Sequence, residues 1–233
     1  MDSCDQVEIW TIELNPAGID AREFTELLSD TERNRWNHIA DQRDRRRYAV
    51  AHGATRLILA DRLDVPPRSL TWRRGSHGKP HLVGFSDCVH TSLTHSGELA
   101  LLAVAGREVG VDAERMAARW STAPPARLFP AAEAAAVAAA PPAERAAMFV
   151  RLLTRKEACV KAGGGALLPH GIRLSTAGGS PLVVTSPFQE RWCVRDVPVA
   201  EGYGASVALT GPEDFEVRLR HWSPPGPARQ GTA

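Results

Sequence analysis

The order of its elements predicts an α+β fold in two lobes, divided near residue 115. Three observations carry this expectation. Strand, helix and strand patterns follow one another up to Glu114, and helices then strands recur after it. The composition turns alanine-rich at that same point. With 233 residues, 43% of them hydrophobic, the chain can build a substantial core.

"VEIWTIEL" (7–14) alternates apolar and polar residues and reads as a strand. From Ser29 to Leu63 the pattern is helical, with Ser29 or Asp30 as N-cap and Pro66-Pro67 as the stop. "LTWRR" reads as a short strand ahead of the turn-rich "GSHGKP". Residues 89–113 read as a three-stranded meander, "VHTSLT", "LALLAVA" and "VGVDA", joined at "HSGE" and "GRE". Residues 116–148 are broken by prolines, but recurring leucine, phenylalanine and methionine favour packed helices over a linker. A longer helix spans about Ala143 to Ala162 and stops at Gly163-Gly164-Gly165. Strands follow near 172–175, 182–185, 191–196, 203–210 and 215–221. The expected division is 1–115, 116–222 and a disordered tail over 223–233.

A net charge of +1 points to neither nucleic acid nor an anionic membrane as partner, so any anion site must be local. Cys4, Cys88, Cys159 and Cys193 form no C-x-x-C pair, which argues against a structural zinc site and a disulfide framework. No signal peptide is apparent, and no eighteen apolar residues run together. A cytoplasmic protein with reduced thiols is the expectation.

The chemistry concentrates in a few stretches. In "EVGVDAER" (108–115), strand alternation puts Asp112 and Glu114 on one face and Val109, Val111 and Ala113 on the other. Two like charges on one face call for a cation between them, or only for water at an exposed strand end. In "MFVRLLTRKEACVKAGG" (148–164), Phe149, Leu153 and Val160 form a helical stripe that also carries Lys156, and Glu157 and Lys161 line its edge. Glu157 and Lys161 read either as a solvated pair or as site residues. Lys156 on an apolar stripe needs a partner, since burying a lone ammonium is costly; a phosphate would serve. Asp112, Glu114 and Glu157 together would make the hard-oxygen site that Mg²⁺ prefers, if the two segments meet. His95 in "LTHSGE" and Lys79 in "HGKP" sit at turns, and Arg47 ends the arginine run of "DQRDRRRY".

Taken in order, "RRRYAVAHGATR", "GKPHL", "SLTHSGELALLAV", "VGVDAER" and "RLLTRKEACVKAGGGAL" resemble the successive motifs of the 4′-phosphopantetheinyl transferases, most closely the two-lobed, surfactin-synthetase-activating type. The resemblance runs from about Ser29 to Leu168. It implies two similar α+β lobes, a pseudo-dimer in one chain with the active site at their interface. The implied activity is transfer of phosphopantetheine from coenzyme A to a serine of an apo carrier protein (acyl, polyketide or peptidyl), with release of adenosine 3′,5′-bisphosphate. Asp112, Glu114 and Glu157 match the family's magnesium carboxylates, Lys161 its phosphate-binding lysine, and Thr94-His95 the pair at the coenzyme's phosphates. Lys79 and Arg47 match positions holding the nucleotide end and its 3′-phosphate. Glu157 is the candidate base for the serine proton.

Leu153 stands where tryptophan is common in the family, and Thr94 where serine is common; apolar character and hydroxyl are both kept. The alternative is a silent module that binds coenzyme A or carrier proteins, whose mark would be a lost carboxylate. A monomer acting on carrier proteins is expected, with Leu128, Phe129 and Met148 lining the carrier-docking groove.

Overall fold

The computed structural model describes residues 6–15, 20–117, 120, 129–165, 171–174 and 179–224. Two four-stranded sheets stand face to face, each covered on its outer side by one long helix. The first sheet contains β1 (Gln6–Glu13), β4 (His90–Ser96), β5 (Leu99–Ala105) and β10 (Glu216–Trp222), in the order β10-β1-β5-β4. The second contains β6 (Val109–Arg115), β7 (Leu182–Thr185), β8 (Arg191–Asp196) and β9 (Tyr203–Thr210), in the order β6-β9-β8-β7. Strands β2 (Trp72–Arg74) and β3 (Pro80–Leu82) form a small separate ribbon. The fold is α+β, as the element order predicts.

Strand alternation builds three apolar layers. On β5, Leu99, Leu101, Ala103 and Ala105 face the space between the sheets, where they meet Val109, Val111 and Ala113 of β6. Ala100, Leu102 and Val104 face the other way, onto the helix α3 (Gln42–Leu63). The outer face of the second sheet packs Val194 and Ala208 against Phe149, Leu152 and Cys159 of helix α5 (Pro142–Ala162).

Several sequence expectations change here. The helical stretch from Ser29 is two helices, α2 (Asp30–Asn37) and α3, after the short α1 (Ala21–Thr25). Ser29 caps α2 with a full capping box to Glu32, and the chain breaks before Asp41 caps α3. The meander is also wrong in its third strand. β5 already has β4 on one edge and β1 on the other, so β6 leaves for the second sheet and pairs with β9. Conversely β10 returns and runs parallel to β1, from Gln6 opposite Glu216 to Ile12 opposite Trp222. Strand pairing therefore crosses the sequence boundary at residue 115. Residues 172–174 form no strand, and residue 175 lies outside the described residues.

The alanine-rich region yields α4 (Ala131–Ala139) ahead of α5. Phe129 is not a groove residue: it is 7% exposed and packs edge-on to Phe149 at 5.2 Å. Met148 packs partly buried against the same core, and Leu128 is outside the described residues.

Gly110 lets strand β6 and helix α5 come close together. A Cβ there would overlap the Ala158 carbonyl oxygen and the Ala162 amide nitrogen, and would lie 2.9 Å from Lys161 Cβ. Backbone cannot rotate away as a side chain can. Gly110→Ala should therefore push β6 off α5 and destabilise by at least the upper end of the ~1–3 kcal/mol usual for overpacking. Thermal denaturation checks this, and an unchanged melting temperature would contradict the packing.

Candidate active site

The close contact at Gly110 makes β6 and α5 present their polar groups to one another. Asp112, two residues on from Gly110, lies on the same face of β6 and is 5% exposed. Its Oδ1 accepts from Lys161 Nζ at 2.7 Å and from Thr94 Oγ1 at 3.1 Å. Its Oδ2 is buried with no hydrogen-bond partner. An unsatisfied buried carboxylate oxygen is costly, and a cation is one group that would satisfy it. Lys161 reaches across from α5 and also donates to the Val111 carbonyl at 3.1 Å. It therefore bridges helix to strand and is not a simple surface partner of Glu157.

Glu157, one turn before Lys161, has its pKa held above the usual carboxylate range. Burial is the main cause, and the negative charges of Asp112 and then Glu114 add to it, against the opposing pull of Lys161. The three carboxylates named from the sequence thus do share one electrostatic neighbourhood. Among the described residues, no group of three or more His, Cys, Asp or Glu side chains is gathered tightly enough to cage a metal unaided. Mg²⁺ does not require that, since it takes one or two carboxylates, several waters and substrate phosphates.

Strand β4 supplies the other wall. Its alternate residues Ser92, Thr94 and Ser96 all aim hydroxyls at β6. Val111 N donates to Ser92 Oγ at 3.1 Å, and Arg115 N donates to Ser96 Oγ at 3.0 Å. Ser96 Oγ in turn donates to Glu114 Oε2 at 2.9 Å. The edge of β6 away from β9 is satisfied by these hydroxyls and by lysines, not by another strand. This seam joins the two sheets. The period-two pattern S-x-T-x-S was its signal in the sequence, but hydroxyls on a strand do not reveal which strand they address.

His95, between Thr94 and Ser96, keeps part of its surface open to solvent, yet enough protein surrounds the ring to perturb it. Desolvation, ahead of the effects of His52 and Lys161, lowers its pKa below the usual histidine value.

The two remaining residues are engaged elsewhere. Arg47 on α3 donates to Glu98 in the β4–β5 turn and to Asp44 Oδ1 at 2.9 Å. Lys79 is bound to Glu108 and donates to the Val109 carbonyl at 2.9 Å. Glu108 also faces His90 Nδ1 at 3.1 Å and His81 Nδ1 at 3.5 Å, and its pKa is lowered to about 2 by its His90 and Lys79 partners despite burial. Glu98 and Glu108 carry no motif of their own, so sequence reading passed them over.

Lys156 requires a correction. Its partner is no phosphate but Glu133 of α4, at 2.8 Å, with both side chains buried. Lys156 also donates to the Ile172 carbonyl, and Glu133 Oε1 accepts from Leu174 N at 2.8 Å.

The segment that carries β6, α5 and β9 is also where family comparison finds a match. Residues 108–210 fit the sequence model of the 4′-phosphopantetheinyl transferase superfamily. The chain is 29% identical over 213 residues, 89% of each protein, to the 4′-phosphopantetheinyl transferase HetI of Nostoc sp.. It is 31% identical over 144 residues to slr0495 of Synechocystis sp., provisionally assigned the same activity; that match covers 60% of this chain and 58% of the relative. Asp112, Glu114, Glu157 and Lys161 all lie inside the segment that is similar to the 4′-phosphopantetheinyl transferase superfamily.

Proposed function

We propose that the enzyme moves the phosphopantetheine arm of coenzyme A onto a serine of an apo carrier protein, acyl, polyketide or peptidyl, and releases adenosine 3′,5′-bisphosphate. The observation that carries this reading is the buried Asp112 Oδ2 without a partner, set beside Glu157 and Lys161. Asp112, Glu114 and Glu157 would hold Mg²⁺, and the donor set fits: hard oxygens, excess negative charge and one orphaned atom. Bound there, the ion would neutralise pyrophosphate charge.

The chain's own groups do the rest. Lys161, whose side chain is 31% exposed, offers its ammonium to a phosphate oxygen. His95 donates a ring N–H to a phosphate oxygen. Glu157, made a stronger base than an ordinary glutamate by its raised pKa, accepts the serine proton directly or through water. The two sheets with their helices form the two lobes, each lending one strand across the boundary near 115, and the seam of β4 and β6 is their interface. Action as a cytoplasmic monomer completes the reading. No helix among the described residues is long and apolar enough to cross a membrane.

Incubation with coenzyme A, Mg²⁺ and a panel of apo carriers tests the proposal directly. A mass gain of one phosphopantetheine on a carrier is expected, and none on any carrier would overturn it.

Two dependences follow. Protons compete with the metal for Glu157, whose raised pKa means it protonates at higher pH than an ordinary glutamate. The half-saturating Mg²⁺ concentration should therefore climb as pH falls through that raised range, and Glu157→Gln should flatten the climb. Arg47→Ala should raise the Michaelis constant for coenzyme A about tenfold or more, the scale of one charge-assisted bond. The constant for 3′-dephospho-coenzyme A should hardly move. Equal loss on both would make Arg47 structural, a strut between α3 and Glu98.

A further inference from the structure

We infer that Ser96 is a positioning residue: its hydroxyl fixes Glu114 for metal binding and ties that carboxylate to the nucleotide end of the site. The inference rests on the metal reading above.

Ser96 is the last residue of β4, and its one oxygen makes two bonds to β6. It accepts from the Arg115 amide at 3.0 Å and donates to Glu114 Oε2 at 2.9 Å. Accepting from a backbone amide fixes where the oxygen sits. Donating to the carboxylate then fixes where Glu114 points. A glutamate at a strand end otherwise samples several rotamers, and a metal ligand must be held within a fraction of an ångström.

The turn that follows makes the arrangement rigid. Gly97 has φ +58°, and a Cβ there would stand 2.6 Å from the Tyr203 hydroxyl. Glu98 N donates to that same hydroxyl at 3.2 Å, while the Glu98 carboxylate holds Arg47. Tyr203 belongs to β9, where it pairs with Arg115, and Gly204 pairs with Glu114. Three consecutive residues, Ser96 to Glu98, thus anchor Glu114 on one side and Arg47 on the other. Ser92 is the internal comparison. It accepts from the Val111 amide in the same seam and is buried, and the bond described for it goes to backbone only, so it joins the strands without addressing a carboxylate.

The test is Mn²⁺ binding to the purified protein, read by electron paramagnetic resonance of free Mn²⁺ without coenzyme A, alongside steady-state kinetics. Ser96→Ala should weaken Mn²⁺ about 10–100-fold, the range for partners that orient a metal ligand, and raise the half-saturating Mg²⁺ concentration in parallel. Ser96→Thr, which keeps the hydroxyl, should restore most of the affinity. Ser92→Ala should lower the melting temperature and leave Mn²⁺ affinity at the wild-type value. Glu114→Ala separates the two layers of the argument. If Glu114→Ala abolishes binding and Ser96→Ala does not change it, the Ser96 inference fails alone. If Glu114→Ala and Asp112→Ala both bind Mn²⁺ normally, the metal reading itself fails.

Discussion

If Asp112 holds the metal as proposed, Asp112→Ala should cut phosphopantetheine transfer by more than about 100-fold, since changes to groups that only orient a ligand already cost 10–100-fold. It also frees Lys161 from its 2.7 Å partner and takes away the hydrogen bond from Thr94. Little cavity results, and the like-charge pressure on Glu157 falls. The fold should therefore survive with a melting temperature near or above that of the wild type. Asp112→Asn refines the test: it keeps the volume and loses the charge, and should be almost as inactive. Near-normal transfer by either variant in Mg²⁺ would remove Asp112 from the chemistry and leave it a strand-to-helix tie.

Glu133→Ala is expected to be the most destabilising single change. Lys156 is fully buried, and burial already pulls its pKa down against the pull of Glu133. Removing the carboxylate leaves a buried ammonium without its countercharge, which costs about 3–5 kcal/mol for a broken buried pair. It also orphans the Leu174 amide that Glu133 Oε1 receives. Replacing both partners, as Glu133→Leu with Lys156→Met, should recover most of the loss, since well-packed apolar pairs match buried ion pairs in stability. Chemical denaturation of the two single variants and the double variant decides it. Equal losses that simply add would mean the two residues do not act as a pair.

These two residues also show what was legible in advance. Asp112 was readable because strand periodicity fixes the face of every second residue, and a second carboxylate shared that face. The helix carrying Glu157 and Lys161 was readable for the same reason, with a different period. The apolar stripe showed that Lys156 was buried. Its partner was hidden, because Glu133 sits in an alanine-rich helix whose packing angle no local pattern encodes. The departure of β6 from the meander was hidden too. Adjacent strands usually pair, and only the docking of the N-terminal strand β1 against β5 shows that β5 has no free edge. Arg47 and Lys79 were singled out from the sequence, but the glutamates that hold them lie 51 and 29 residues away.

The return of β10 to the first sheet has a consequence for how the protein is made. β10 ends at Trp222, whose ring packs edge-on to Phe24 at 5.9 Å, so the first sheet is closed by some of the last described residues to leave the ribosome. Until they emerge, one edge of β1 stays unpaired, a row of amides and carbonyls open to any other strand. Stop codons or frameshifts between β9 and β10, at residues 211–215, would delete none of Asp112, Glu114 and Glu157. They would release a chain whose first-made half is the part left unfinished.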